Sequence, residues 1–259
     1  MRPWWLALAA LAVGFPRHAA AEVAITVDAT AAATTVVTVR ATNSGPGAVR
    51  DIVPEVRLRS TSRRGDAVPA LGDGDTHVWS VTLPAPDTGG TYGVVARVAY
   101  VDARGTAASA VGVGLVATSG APDDPVTATL AVQPIDTHGA AALTLVNPTP
   151  ALVAGRVHPV LPSELGTDPE TFPAQVLPGG CATATFVLEN DGAEPGRTLP
   201  LWALFEYERD GLHRTVVAGA ALPIVPRRAA GTATPILVCG ASLAVAGALL
   251  ALAWRRTAR

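Results

Sequence analysis

The sequence predicts an all-β protein held to a membrane: two tandem β-sandwiches followed by one transmembrane α-helix. Three observations carry this. The long middle of the chain consists of short runs rich in β-branched and aromatic residues, bounded by Gly, Pro, Asn or Asp. Landmarks in its first half return in the second at an offset of 104 to 107 residues. A 22-residue apolar run without a charged residue, Ala233 to Trp254, is followed at once by Arg255 and Arg256.

The two ends set the expected topology. Arg2 opens a short basic region, Leu6 to Phe15 form an apolar core too short to span, and Ala19-Ala20-Ala21 before Glu22 reads as a cleavage site. Residues 1–21 are therefore expected to be a signal peptide. At 1.5 Å per helical residue the run from Ala233 covers about 33 Å, the thickness of a bilayer hydrocarbon core. The expected order is juxtamembrane residues 227–232, a transmembrane helix over 233–254 and a cytoplasmic tail over 255–259. Export followed by stop-transfer leaves the N-terminal region outside the cell membrane. Within the run, Gly240, Ala244 and Ala248 make a small-xxx-small line that permits a helix-mediated dimer.

Composition excludes some functions. All 19 basic residues are arginine, the net charge is −2 and the pI is near 6.2, so no basic field for nucleic acid exists and no such partner is expected. Cys181 falls in the exported part and Cys239 in the membrane run, so no disulfide joins them. About 205 residues remain between leader and anchor, enough for two small cores.

The strands follow in order. Val23 to Val27 opens the first copy. Thr34 to Asn43, a third strand, a polar loop from Ser60 to Leu71, a Gly turn, a further strand, and the long apolar strand Thr91 to Asp102 come next. The second copy opens with Val126 to Val132, has its polar loop at Ser163 to Leu177, and carries Leu199 to Arg209. In this last run Leu201, Ala203, Phe205 and Tyr207 share one face while Glu206 and Glu208 share the other, the period of a half-buried antiparallel strand.

Superposing the copies aligns Asn43 with Asn147, Leu71-Gly72-Asp73-Gly74 with Leu177-Pro178-Gly179-Gly180, and Tyr100 with Tyr207. Sandwich 1 is expected over 22–118, a linker over 119–125 and sandwich 2 over 126–226. Six or seven strands in each copy make an immunoglobulin-like sandwich, without the Cys and Trp pair of antibody domains.

Val-Thr-Val-Arg-x-x-Asn-x-Gly at Val37 to Gly45, Leu-x-x-Gly at Leu71 to Gly74 and the Tyr strand ending Asp-x-x-Gly at Asp102 to Gly105 resemble the CARDB and related extracellular Ig-like domains of prokaryotes. The resemblance implies that the Asn and Leu-Gly turns are structural corners and that the domains act as surface spacers or protein-contact modules without catalysis. Asp73 and Pro148 depart from the pattern.

Candidate sites are few. Trp79 and Trp202 are the binding candidates, since a partly exposed tryptophan anchors carbohydrate or protein. Trp79 reads first as core, and Trp202 shares a face with Glu206. Asp73, Asp75, Asp123 and Asp124 lie in loops as solvated turn residues, Asp123 and Asp124 also being weak calcium candidates. His77, His138, His158 and His213 lack ligand spacing, and Ser44 and Ser163 lack a nucleophile motif. No cofactor and no catalysis are expected. The chain reads as a membrane-anchored extracytoplasmic binding or spacer module that contacts a protein or envelope polymer. The alternative is an anchored metal carrier or enzyme using the Cys181 region and nearby histidines.

Overall fold

The structure is a computed structural model that describes residues 23–118 and 124–227. The expected signal peptide, Asp123, the rest of the linker up to that residue, and the apolar run from Ala233 lie outside the described residues. Among the described residues no helix is long and apolar enough to cross a membrane.

Among the described residues sixteen strands form. The first eight are β1 (Val23–Ala31), β2 (Thr34–Asn43), β3 (Val49–Leu58), β4 (Thr61–Arg64), β5 (Val68–Leu71), β6 (Thr76–Pro84), β7 (Thr91–Val101) and β8 (Ala107–Ala117). The next eight are β9 (Thr127–Val132), β10 (His138–Val146), β11 (Val153–Val160), β12 (Leu165–Gly166), β13 (Phe172–Val176), β14 (Cys181–Asn190), β15 (Thr198–Arg209) and β16 (Leu212–Pro223). The two expected polar loops hold four of these. β4 and β5 lie between Ser60 and Leu71, and β12 and β13 between Ser163 and Leu177. They are short edge strands, which need one partner and no apolar alternation. β4 is exposed throughout, and β5 and β13 carry Pro69 and Pro173, a residue that edges tolerate.

All ladders are antiparallel. One sheet runs β1-β2-β6 and faces β4-β3-β7-β8, with β5 also on β3. The second pair runs β9-β10-β14-β12 and β13-β11-β15-β16. Seven strands recur in equivalent places: β1, β2 and β6 match β9, β10 and β14, while β5, β3, β7 and β8 match β13, β11, β15 and β16; β4 on β3 and β12 on β14 have no counterpart. This is the two-sheet order of an immunoglobulin-like sandwich.

Each sandwich closes over its own core. Val37, Val39, Ile52, Tyr92 and Val94 fill the first, and Leu143, Leu145, Val157, Leu201 and Phe205 fill the second. The alternation expected for β15 is present, with Leu199, Leu201, Ala203, Phe205 and Tyr207 buried in turn.

The aligned asparagines hold equivalent positions. Asn43 is fully buried, and its side-chain amide donates to the carbonyls of Gly47 (2.8 Å), Leu71 (3.1 Å) and Gly72 (3.0 Å). Its Oδ1 accepts from the Gly45 amide at 3.2 Å. Asn147, also fully buried, donates to Ala151 (2.8 Å), Val176 (3.2 Å) and Leu177 (3.2 Å), and accepts from the Thr149 amide and hydroxyl. Each ties the crossing between the sheets to the end of an edge strand.

Asn43→Ala and Asn147→Ala should each lower unfolding stability by about 3 kcal/mol, because the carbonyls left behind stay buried without donors. Urea titration of each variant measures this, and a loss below about 0.5 kcal/mol, the scale of an ordinary surface change, would contradict the role given to the amide.

Candidate functional site

The groups with chemical potential gather where the two sandwiches meet. The outer faces of β7 and β8 pack on the outer faces of β11, β15 and β16. Val111, Val160 and Leu204 are buried there, with Val95, Val113, Trp202 and Val217 around them. Two glycines permit the approach. A Cβ on Gly93 would stand 2.3 Å from Leu204 Cδ2, and one on Gly90, whose φ is +144°, would stand 2.1 Å from the His213 carbonyl oxygen. The Gly93 amide donates to Thr215 Oγ1 at 3.1 Å, and the His213 amide to the Gly89 carbonyl at 3.0 Å.

At one end of this seam Glu164 sits buried on the turn after β11. Its Oε2 accepts from the Ser109 amide on β8 at 3.1 Å and the Ser163 hydroxyl at 3.1 Å, while its Oε1 lies 3.3 Å from Arg197 Nη1. Tyr100 lies beside them, and burial pushes its phenol up against the opposing pull of Arg197. The Arg97 guanidinium donates to the Leu161 carbonyl at 3.1 Å, and Arg104 of the β7–β8 turn pairs with Glu194.

At the other end stand two His–Glu pairs. His158 Nε2 is 3.2 Å from Glu206, and His213 Nδ1 is 2.9 Å from Glu208. The His213 ring stacks on Tyr92 at 4.4 Å, with planes 9° apart. Burial works to raise the Glu206 carboxyl, but the hydrogen bond from His158 and the charges of His158, His213 and Arg57 outweigh it and hold it low. Each glutamate thus bonds a histidine of its own sandwich, Glu206 half-buried and Glu208 exposed. His213 is buried.

The named candidates separate. Trp79 is 5% exposed, and its indole N–H donates to the Asp66 carbonyl at 2.8 Å. Trp202 is half-buried in the seam over Gly219, its cross-strand neighbour. Asp124 accepts from the Val126 amide at 2.9 Å and from the Tyr207 hydroxyl, tying the start of the second copy to its core. Burial, with this carboxylate second, pushes the Tyr207 phenol well up. Asp123 lies outside the described residues. Asp73 and Asp75 flank the Gly74 turn, where Asp75 Oδ2 accepts from the Gly72 amide at 2.8 Å.

The histidines do not assemble at Cys181. That residue is exposed at the start of β14, opposite Val146. His138 faces Glu189 at the far end of the same ladder, about 27 Å away at 3.4 Å per residue. His158 and His213 belong to the other sheet and His77 to the first sandwich. Among the described residues no group of three or more His, Cys, Asp or Glu side chains is placed to hold a metal ion. A cleft of about 100 Å³ opens on the seam between Arg57, Arg97 and Val160, well below the volume of an ordinary small-molecule site.

No family model matches the chain, and no curated protein does. The CARDB resemblance therefore rests on the motifs alone. Among solved structures, red sea bream transglutaminase is 12% identical at a TM-score of 0.28, with 78% of this chain and 31% of that one covered. Native Escherichia coli alpha-2-macroglobulin is 12% identical at 0.33, covering 80% and 17%. The YadV chaperone is 14% identical at 0.28, covering 76% and 99%. The chain spans less than a third of the transglutaminase and less than a fifth of the macroglobulin. At such TM-scores the assignment to Ig-like all-β sandwiches rests on this chain's own strand order and register.

Glu164→Ala leaves the Ser109 amide without its acceptor and Arg197 without its anion. It should cost about 3 kcal/mol. Hydrogen exchange should speed at the Ser109 and Gly93 amides while the core amide of Leu143 stays protected; unchanged exchange at Ser109 would contradict the assignment.

Acid should loosen the fold in a defined window. Asp102 in the β7–β8 turn is buried, which alone would raise its pKa, but amide bonds from Thr106 and Arg104 bring it below its ordinary 3.8. Glu206 is likewise below its ordinary 4.5. Carboxylates held low in the folded state contribute fully above those ordinary values and lose the contribution as pH falls through the folded ones. Stability from this pair should stay level from neutral pH to about 5 and fall below it, with a shallower fall in Asp102→Asn; an identical acid slope in that variant would refute it.

Proposed function

We propose that this chain is a membrane-anchored extracytoplasmic binding or spacer module, with no catalysis of its own, that carries two joined Ig-like sandwiches on one C-terminal transmembrane helix. The observation that carries the reading is the use of the charged side chains at the seam. Glu164, Arg197, Glu206, His158, Glu208 and His213 each have a partner that joins strand to strand or sandwich to sandwich. Groups committed to holding a scaffold support a presenting role rather than turnover. The signal peptide and the uncharged run from Ala233 support its location, and the CARDB resemblance supports a protein or envelope-polymer partner.

The full chain should stay with membranes through an alkaline carbonate wash, and its sandwiches should be open to protease added outside intact cells. Cross-linking in whole cells followed by affinity capture from detergent extract should recover one protein or envelope polymer in stoichiometric amount. Release by carbonate would remove the anchor from the proposal, and protection from outside protease would reverse the orientation.

A further inference from the structure

The open edge of β6 borders a groove of about 390 Å³, whose opposite wall is β4 with the turn that follows it. Arg63, Arg64 and Asp66 stand on that wall, and His77, Trp79 and Ser80 on the β6 side. The wall is held in place by the Trp79 indole bond to the Asp66 carbonyl.

Among the described residues β6 pairs only with β2. The Asn43 amide donates to the Asp75 carbonyl at the head of that ladder, which makes His77, Trp79, Val81 and Leu83 the residues that bond inward to β2. The N–H and C=O groups of Val78, Ser80 and Thr82 then point to the open edge. Proteins guard such edges with charge, proline, bulges or covering chain. β6 is nine residues long with an unbroken register, no charged residue and no proline before Pro84. Its counterpart β14 is covered at one end by β12.

The geometry points to strand addition at β6: an extended peptide with acidic side chains lies in the groove, its backbone bonded to Val78, Ser80 and Thr82 and its carboxylates against Arg63 and Arg64. Two arginines against one aspartate, Asp66, leave the far wall net positive, and that charge selects this occupant. Arg63 has no ion pair among the described residues, and Arg64 has only an exposed contact with Glu55 at 3.8 Å, which contributes little. A second copy joined edge to edge would bring like arginines together on both sides of the junction. The inference rests on the binding reading above and names its partner class.

Fluorescence anisotropy tests it, with a labelled peptide of alternating glutamate and valine titrated against the full chain in detergent micelles. Saturable binding is expected. The double variant Arg63→Glu with Arg64→Glu should weaken it about tenfold, the scale of reversing two rim charges. Methylating alternate backbone nitrogens of the peptide should abolish it. Both arginines are exposed, so the variant should keep the parent melting temperature. Equal binding of a lysine–valine peptide, indifference to the arginine reversals, or tight binding of the methylated peptide would each overturn strand addition. So would a concentration-dependent dimer that disappears with Ser80→Pro, since a second copy would then hold the edge. A stoichiometric partner captured from cells whose recovery is unchanged by the arginine reversals would sink the inference and leave the binding reading standing; no partner and no peptide binding would remove both.

Discussion

Two buried carboxamides set the geometry on which the other contacts depend. An asparagine side chain has two donor hydrogens and one acceptor oxygen, and inside a sandwich it must meet protein partners or carry their full desolvation cost. Asn43 meets them at the end of β5 and in the β2–β3 turn, Asn147 at the end of β13 and in the β10–β11 turn. In both copies the acceptor carbonyls lie four and about 29 residues downstream. The bonds fix where the chain leaves one sheet and enters the other. They thereby place β3 and β11, and with them the strands that form the seam.

The seam follows from that placement. Once β7 and β15 lie beside β3 and β11, their outward residues meet face to face, and Val95, Val111, Leu204 and Val217 lose water together. Polar groups near them complete the contact: Arg104 pairs with Glu194, and Arg97 donates to the Leu161 carbonyl. Glu164 and Arg197 pair within the second sandwich, and what a misdocked arrangement would lose is the bond from the Ser109 amide to the buried Glu164 carboxylate. The apolar patch therefore supplies adhesion, while the Ser109–Glu164 bond, the Arg104–Glu194 pair and the Tyr92–His213 stack fix orientation. The close approach at Gly93 allows one arrangement, since any side chain there would collide with Leu204.

Much of this was legible in the sequence because it is periodic or repeated. The inward face of β15 shows a period of two, and the asparagine corners recur beside turns in both copies. The edge strands were not legible, because four exposed residues such as Thr61 to Arg64 leave no alternation to read. The seam left a trace that a single sandwich cannot explain: Trp202 and Leu204 stand on the same face of β15 as Glu206 and Glu208. The partners themselves are non-local, Ser109 with Glu164 and Gly93 with Thr215, and no spacing rule links residues 55 or 122 positions apart. Trp79 was readable as core, whereas the bond from Tyr207 to Asp124 was hidden by a separation of 83 residues.

The seam also decides what a partner can touch. It buries Val111, Val160 and Leu204 on the outer faces of β8, β11 and β15, while the outer faces of the β1-β2-β6 and β9-β10-β14 sheets stay open to solvent together with the strand edges. The two open faces carry short side chains, such as Thr26 and Val78 on either side of Arg40 in one and Thr129, Thr144 and Thr183 in the other. Their hydroxyls partly bond one another, as Thr42 does with Thr76 at 2.9 Å. A flat face with few charges distinguishes poorly between ligands, because nearly any surface fits it about equally well. A strand edge carries donors and acceptors in fixed order and direction, and its neighbours set a sign of charge. On the proposed binding role, specific recognition would belong at an edge, and the edge flanked by Arg63 would have the strongest preference to express.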